Sequence, residues 1–393
     1  METHEVVFTS PVWTDLVRRL TGGQAPVRTA CRVARLADRW DWLAGMSEPQ
    51  VAEPPALVAV RRTHPEVLAD VVRAAANTES EDTRIILGVG IGPAAGHLAG
   101  VIRHEGRVCP LAAVRVIAPG LPRLVLGRSA RPPLPTQDER FSRTIGALGQ
   151  RTFERLRSLH FAVVGCGRTG SLVADHLASY GVANIALIDP DLLEIHNLGE
   201  MTGNLNRAVG QPKPSALAVR IENLGLGTDV TAVAAPVQVL EALFALKVAD
   251  IVISCPDNLA ARQATARVAA LYLKPVLDIG TGIVREPNGR EMGLDVCWLL
   301  PGHCVACVGG RGEAAARPRL GSLRSLNTWA AGLGFTLIEQ FLSGTLRDSI
   351  WLQGEVTTAG IPQLRSVPLA SNLGCPICRR CGHGDEGLLE RES

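Results

Sequence analysis

Three glycines and one aspartate near the middle of the chain have the spacing of a nucleotide-binding site. Gly165, Gly167 and Gly170 stand between a short apolar run and an amphipathic run, which predicts that they join a strand to a helix. Such glycines permit a tight turn and let backbone N–H groups approach phosphate at the positive end of the helix. Asp189 ends the next apolar run, where a carboxylate can accept hydrogen bonds from ribose hydroxyls. These residues alone are compatible with NAD(P) as well as with ATP.

Two Cys-x-x-Cys pairs offer the four ligands of one tetrahedral metal ion. The pairs are Cys304 with Cys307 and Cys375 with Cys378. Zinc is the metal expected for four thiolates, and a closed set of four leaves no open position, which indicates a structural ion. Cys381 and His383 are competing ligands. We prefer the Cys375 pair, which leaves Cys381 on the tail.

Several further motifs follow the glycines in a fixed order. They are Arg140-Phe-Ser-Arg143, Asp189-Pro-Asp191, His196-Asn197-Leu198, Gly210-Gln-Pro-Lys213 and Pro256-Asp257-Asn258 with Arg262. With these motifs, the chain resembles the ThiF/MoeB-type adenylyltransferases and the adenylation domains of ubiquitin-activating enzymes over about residues 138–378. The resemblance implies a Rossmann-like, doubly wound α/β sheet. It also implies ATP-dependent adenylation of the C-terminal carboxylate of a ubiquitin-like or sulfur-carrier protein, supplied by another chain, with release of pyrophosphate.

The resemblance also assigns roles to the matching residues. Arg143 matches an arginine given to the partner subunit's ATP, Lys213 a phosphate-contacting lysine, and Asp257 the aspartate at Mg-ATP. The expected nucleotide-binding residues are Gly165, Gly167, Gly170, Asp189, Asp191, Asn197 and Asn258. The expected cofactors are ATP, Mg²⁺ and Zn²⁺, and the expected assembly is a homodimer. Asn258 has a second interpretation, as the cap of the following helix.

These catalytic roles agree with the chemistry. A carboxylate that attacks the α-phosphorus approaches a polyanion, and the departing pyrophosphate gains charge. Catalysis is therefore mainly positioning and electrostatic stabilisation by cations, and an ionised carboxylate needs no general base.

Two residues depart from the family pattern. Arg168 stands where the family usually has glycine, so its side chain must either avoid the phosphates or contact them. Glu200 replaces a family arginine, which removes a cation and adds an anion. Arg207, in the neighbouring loop, is a candidate to compensate. These departures leave open a catalytically inactive scaffold of this family, and the glycine fingerprint with Asp189 leaves open an NAD(P)-dependent oxidoreductase.

The remaining cysteines favour simple adenylate formation over transfer to a thiol. The sequence has no cysteine between Cys307 and Cys375, so the loop predicted for Val308 to Ser322 carries no nucleophile. Cys166, Cys255 and Cys297 lie in or beside predicted sheet elements, where packing is their expected role.

Alternating strands and helices must position these residues. The sequence predicts strands at Phe161 to Val164, Asn184 to Ile188, Asp250 to Cys255 and Pro275 to Ile279, and helices at Ser171 to Tyr180, Leu259 to Tyr272 and about Leu326 to Leu342. This order predicts a doubly wound parallel sheet.

The predicted domains are an α+β domain (residues 1–130), a proline-rich linker (131–139), the adenylation domain (140–381) and a tail (382–393). The first domain faintly resembles a JAB/MPN-type isopeptidase domain through residues 6–13 and Thr63-His64-Pro65. Arg62 occupies the place of that family's first histidine, so we predict a non-catalytic docking platform.

Composition excludes several classes of protein. The 393 residues are 46% hydrophobic, which allows real cores, and the net charge of +2 provides no general field for nucleic acid or anionic membrane. The first residues lack the features of a signal peptide, and apolar runs are shorter than a membrane span. We therefore expect a cytoplasmic protein with neither nucleic acid nor membrane as a partner.

Overall fold

The computed structural model describes most of the chain. The described residues are 4–21, 27–29, 31–36, 41–46, 57–61, 85–91, 98–104, 107–121, 123–125, 138–202, 206–286, 289–307, 321–356, 360–369 and 374–384. Contacts divide the chain into two units: residues 1–134 with 271–273 and 380–393, and residues 135–270 with 274–379. Within the described ranges, no helix combines the length and hydropathy needed to cross a membrane.

The first unit contains one mixed β-sheet and one helix among its described residues. Its elements are β1 (His4–Thr9), α1 (Ser10–Thr21), β2 (Val27–Thr29), β3 (Cys31–Leu36), β4 (Asp41–Met46), β5 (Leu57–Arg61), β6 (Ile85–Ile91), β7 (Leu98–His104), β8 (Arg107–Ile117) and β9 (Arg123–Val125). The sheet order is β2-β5-β6-β7-β8-β1-β4-β3, and β9 pairs with β8. Strand β1 runs parallel to both of its neighbours.

The second unit is an α/β domain. Its elements are α2 (Ser142–Leu148), α3 (Gln150–Ser158), β10 (His160–Val164), α4 (Arg168–Ser179), β11 (Asn184–Ile188), α5 (Lys213–Glu222), β12 (Asp229–Val233), α6 (Leu240–Val248), β13 (Ile251–Ser254), α7 (Leu259–Leu271, whose last residue is grouped with the first unit), β14 (Val276–Glu286), β15 (Gly289–Leu299), α8 (Arg324–Ser343), β16 (Ile350–Val356) and β17 (Pro362–Val367).

The second sheet confirms the predicted doubly wound architecture. Its order is β12-β11-β10-β13-β14-β15-β16-β17. The first five strands are parallel and the last three are antiparallel additions. Because the chain winds outward from β10 first through β11 and then through β13, the carboxyl ends of β10 and β13 border the crevice where such sheets bind ligands.

The predicted strands and helices of this unit are confirmed within a few residues at most boundaries. The largest difference is β14, which was predicted to end at Ile279 but continues to Glu286. It continues because β15 pairs with it as a hairpin, an antiparallel contact that the local apolar pattern does not encode. The predicted linker lies mostly outside the described residues, and so do Arg62, Thr63-His64-Pro65 and residues 308–320 of the predicted loop.

Candidate functional site

A cavity of about 710 Å³ lies at the carboxyl ends of the parallel strands, a size typical of small-molecule sites. Val164 ends β10, Ile188 ends β11, and Cys255 directly follows β13; all three line the cavity. The rest of its wall comes from the first turn of α4, the loops after β11, β12 and β13, the segment before α8, and residues of α5, α7, β14 and α8. The cavity therefore occupies the ligand crevice of the sheet.

The three glycines of the turn lie in different surroundings. Gly165 has φ +88°, and a Cβ there would come within 2.8 Å of the Cys255 backbone. A Cβ on Gly170 would lie 1.8 Å from the carbonyl oxygen of Gly165. A Cβ on Gly167 would meet nothing within 4 Å, although Gly167 lines the cavity at the start of α4. Close packing therefore requires glycine at the first two positions, whereas Gly167 faces open space at the cavity.

Asp189 is fixed behind the glycine turn. Its Oδ2 accepts the Cys166 N–H at 2.6 Å, and its Oδ1 accepts the Asp191 N–H at 2.8 Å. Burial raises the pKa of Asp189, and these backbone hydrogen bonds offset part of that effect. It directly follows β11, as the sequence predicted for this carboxylate.

Lys213 reaches the cavity from the first residue of α5. Its Nζ donates to Asp191 Oδ2 at 2.7 Å, and its side chain is 12% exposed against 61% for Asp191. Burial lowers the pKa of Lys213, but the hydrogen bond to Asp191 and attraction to Asp189 and Asp257 outweigh burial, so the pKa is raised. The lysine is therefore a charged donor beside three carboxylates.

Asn197, Asp257 and Asn258 also line the cavity. The Asn197 side-chain oxygen accepts the Glu194 N–H at 3.0 Å and caps a short 3-10 turn, so any phosphate contact would come from its NH₂ group. Asn258 Oδ1 accepts the Ala261 N–H at 2.8 Å, so Asn258 does cap α7, as its second interpretation held. Asp257 is exposed and accepts one bond, from Asn258 at 3.3 Å.

Arg262 forms a buried ion pair in the wall of the cavity. Its Nη1 lies 2.7 Å from both carboxylate oxygens of Asp278, which is fully buried. Its Nη2 donates to the carbonyl oxygens of Pro256 and Ile279 at 2.6 and 2.9 Å. Both terminal nitrogens are thus committed to the protein itself.

The two residues that depart from the family pattern contact each other. Arg168 Nη2 forms an ion pair with the Glu200 carboxylate, and Arg168 Nη1 donates to the Ser322 carbonyl at 2.8 Å. Both side chains line the cavity, whereas Arg207 is exposed and lies outside its lining. In this chain the carboxylate of Glu200 is therefore paired with Arg168, whereas compensation by Arg207 stays a prediction.

Arg143 is exposed on α2 and does not line the cavity of its own chain. The first arginine of the same motif, Arg140, pairs with Asp138 at 2.8 Å and donates to the Gly225 carbonyl at 2.7 Å. Within one chain, the structure therefore brings Lys213 and Asp257 to the cavity but not Arg143.

The thiols of buried Cys166 and half-buried Cys255 lie at the glycine turn. Burial raises the pKa of the Cys166 thiol well above its usual range, and it raises the pKa of Cys255 to about 12. A thiol with a raised pKa is a poor nucleophile at neutral pH, because the thiolate is the reactive form. This agrees with a packing role for both residues.

The cysteine cluster (Cys304, Cys307, Cys375 and Cys378) brings the two Cys-x-x-Cys pairs together. Its four sulfur atoms all lie within 4.8 Å of one another. The Sγ of Cys304 is 3.7 Å from Cys307 and 3.6 Å from Cys375, and the Cys307–Cys378 distance is 3.3 Å. Zn–S bonds of about 2.3 Å in a tetrahedron would separate the sulfurs by roughly 3.8 Å, so the cluster can hold such an ion with little adjustment. Cys381 is not in the cluster.

Three polar side chains that contact one another in the cavity wall were not predicted from the sequence. Thr281 donates to the Asn327 side-chain oxygen at 2.7 Å, and Ser322 Oγ, with its single proton, lies within donating distance of that oxygen at 2.8 Å and of Thr281 Oγ1 at 2.9 Å. These residues belong to β14, to the segment before α8 and to α8 itself. They share no local motif, so only the folded sheet brings them together.

Comparison with known proteins agrees with this geometry. The sequence profile of the ThiF family matches residues 141–346. The molybdopterin-synthase adenylyltransferase of Escherichia coli is 31% identical over 238 residues, which cover 57% of this chain and 89% of that protein. The adenylyltransferase and sulfurtransferase MOCS3 of Sus scrofa is 29% identical over 146 residues, which cover 36% of this chain and 32% of that protein. The chain thus spans nearly all of one relative and about a third of the other.

Solved structures support the fold. The crystal structure of E. coli MccB with ATP superposes with a TM-score of 0.50 at 18% identity, covering 63% of this chain and 76% of that one. The likeness extends well beyond the glycine turn and supports the α/β architecture of the second unit.

Proposed function

Because the chain belongs to the ThiF family, we propose that it is an ATP-dependent adenylyltransferase. Its proposed substrate is the C-terminal carboxylate of a ubiquitin-like or sulfur-carrier protein. The observation that carries the proposal is the meeting of Gly167, Asp189, Lys213 and Asp257 in one cavity at the carboxyl ends of the sheet. The two relatives described above are named as adenylyltransferases.

The chain's own residues can supply the positioning that this reaction needs. Asp189 offers carboxylate oxygens for ribose, and the open side of Gly167 lets phosphate approach the N-terminus of α4. Lys213 Nζ uses one of its three N–H donors on Asp191, which leaves donors for phosphate oxygens as charge builds on pyrophosphate. The carrier's carboxylate is already ionised and attacks the α-phosphorus without a general base.

The excess of negative charge in the cavity is our reason for including Mg²⁺ in the proposal. Five carboxylates line it (Asp189, Asp191, Glu194, Glu200 and Asp257), against three cations (Arg168, Lys213 and Arg262). A polyanionic nucleotide fits this acidic lining only with a metal ion that offsets the repulsion. Asp257 is an exposed carboxylate at the cavity, and Mg²⁺ is usually held by one or two carboxylates together with substrate phosphates. When bound, the ion stabilises charge on the leaving pyrophosphate.

We assign structural zinc to the cysteine cluster, because four thiols at these distances match a closed tetrahedral site. A cytoplasmic location goes with this assignment, since the thiols must stay reduced to hold the ion.

We also propose a homodimer in which Arg143 acts on the nucleotide of the partner subunit. The support is that Arg143 is exposed on α2 and outside its own cavity. Mixing Arg143→Ala chains with Asp257→Ala chains should then restore part of the activity, because a hybrid dimer retains one intact composite site. The measurement is ATP–pyrophosphate exchange on the mixture, with hybrid formation checked by native mass spectrometry. Hybrids that form without any recovery of exchange contradict the assignment.

Carrier-dependent exchange of radioactive pyrophosphate into ATP tests the proposed reaction directly. Wild-type protein with Mg²⁺ and the correct carrier should catalyse exchange, and a carrier that lacks its last residue should abolish it, because the attacking carboxylate is displaced. Exchange that proceeds equally with the shortened carrier would show that the C-terminal carboxylate is not the acceptor. NAD(P) bound in preference to ATP would overturn the nucleotide assignment.

A further inference from the structure

One cation of the nucleotide cavity has no role in the reaction as described so far. Arg168 is the first residue of α4, directly after Gly167, and its side chain is 31% exposed. It contacts the Glu200 carboxylate in the loop after β11 and the Ser322 carbonyl before α8. These contacts hold the guanidinium in the cavity wall beside the glycine turn, where the proposed function places phosphate.

The three cations of the cavity differ in how many donors they keep. Arg262 commits both terminal nitrogens to Asp278 and to two backbone carbonyls. Lys213 uses one donor on Asp191. Arg168 has five N–H groups, of which the described contacts engage two. Arg168 and Lys213 are therefore the cations that can still donate to a ligand.

The placement of Glu200 determines where Arg168 acts. Glu200 lines the cavity and follows the 3-10 turn, with its N–H donating to the Asn197 carbonyl at 3.0 Å. An unpaired carboxylate there would repel phosphate, and Arg168 removes that charge while Glu200 holds the guanidinium at a fixed point. The planar fork of an arginine can donate to a carboxylate on one side and to a phosphate on another.

We propose that Arg168 binds a phosphate group of the nucleotide directly and that Glu200 is its positioning residue. This inference rests on the proposed function, since the ligand is the ATP of the same cavity. It assigns to this chain a phosphate cation from the first turn of α4, in the position next to Gly167. The competing interpretation is that Arg168 serves only to neutralise Glu200.

A double-mutant cycle separates the two interpretations. The variants are Arg168→Gln, Glu200→Gln and the double variant, and calorimetry measures their affinities for Mg-ATP and for adenosine, which has no phosphate. Arg168→Gln should weaken Mg-ATP binding by roughly 10- to 100-fold, the scale of charge-assisted hydrogen bonds. The double variant should remain at least about tenfold weaker than wild type. Adenosine affinity should be unchanged in every variant.

Three results overturn this inference while leaving the proposed function intact. Recovery of wild-type Mg-ATP affinity in the double variant would show that Arg168 only neutralises Glu200. Equal loss of ATP and adenosine affinity in Arg168→Gln would show that Arg168 only maintains the shape of the cavity. If Arg168→Gln does not fold, Arg168→Lys gives the same test, with a smaller loss that must again be confined to ATP. A wild-type protein that binds adenosine but not ATP refutes the proposed function itself, whereas ATP binding insensitive to Arg168 refutes this inference alone.

Discussion

The nucleotide cavity and the cysteine cluster lie in the same unit, yet they use their polar side chains in opposite ways. In the cluster, Cys304 and Cys375 are 3% and 1% exposed, and the sulfurs face one another. In the cavity, Asp191 and Asp257 are exposed, and Lys213 is held with donors to spare. The cluster closes on itself, whereas the cavity keeps charged groups available to something else.

This difference indicates that the cysteine cluster contributes to stability and that the cavity contributes to the reaction. A closed set of four thiols can contribute binding free energy to the fold but offers no position for a substrate. Exposed charges in a cavity contribute little to stability, since solvent screens them, but they can stabilise charge that develops in a reaction. Substitutions in the two regions should therefore fail different assays.

The largest loss of stability should come from the cysteine cluster. Cys304→Ser removes a thiolate from a closed site, so the free energy of unfolding should fall by more than about 4 kcal/mol, the range associated with loss of a metal. Urea unfolding with zinc analysis measures both quantities, and about one zinc per chain is expected for wild type. Cys381→Ser, outside the cluster, is the matched control. Equal stability of the two variants would contradict a structural ion.

Arg262 lines the cavity, but its contribution to stability should resemble that of the cysteine cluster. Arg262 is 10% exposed and its partner Asp278 is fully buried, so Arg262→Gln leaves an unpaired buried carboxylate and should cost about 3–5 kcal/mol of unfolding free energy. Arg168→Gln, in a pair that is 31% exposed on both sides, should cost about 1 kcal/mol or less. Chemical denaturation compares the two variants directly. Similar losses would mean that burial does not distinguish these pairs.

Lys213 should show the reverse behaviour. Lys213→Ala should reduce pyrophosphate exchange by roughly 100-fold, or about 2.7 kcal/mol of activation free energy, because a charged donor near the departing phosphates is lost. Its unfolding free energy should change by less than about 1 kcal/mol, since its partner Asp191 is 61% exposed. Exchange kinetics and urea unfolding on the same preparation give both values. A large loss of stability would place Lys213 with the structural residues.

Local sequence signals predicted the parts of the site that depend on local geometry. The glycine turn, Asp189 and the strands β10 and β11 follow from short-range patterns, and the cysteine pairs follow from ligand spacing. The resemblance to a family then added Lys213 and Asp257, which both line the cavity.

The remaining parts of the site depend on contacts between residues far apart in the sequence, which local patterns do not predict. The pairing of Arg168 with Glu200 joins the two residues that depart from the family pattern, and no local pattern indicates that they meet. The same holds for Asn327, which joins Thr281 and Ser322 only after β14 and α8 have packed. Arg143 remains a prediction, because its proposed role involves a second chain.

The smallest expected effect is a pH dependence that comes from Asp189. Burial raises the pKa of this carboxyl in the folded state above its ordinary value of 3.8. The folded protein therefore takes up this proton at a higher pH than the unfolded chain does. As pH falls through the raised pKa towards the ordinary value, protonation of Asp189 stabilises the folded state relative to the unfolded state.

Nucleotide affinity should change in the opposite direction over the same pH range. A protonated Asp189 is a poorer acceptor for ribose hydroxyls, so Mg-ATP binding should weaken while the contribution of Asp189 to stability rises. Asp189→Asn removes the titration, so the unfolding free energy of wild type minus that of the variant should increase as pH falls, and the affinity difference should shrink. Urea unfolding and calorimetry across this range measure the two trends, with Asp229→Asn, an exposed residue on β12 outside the cavity, as control. Trends of the same sign, or differences that stay flat with pH, would contradict a buried ribose-binding carboxylate at this position.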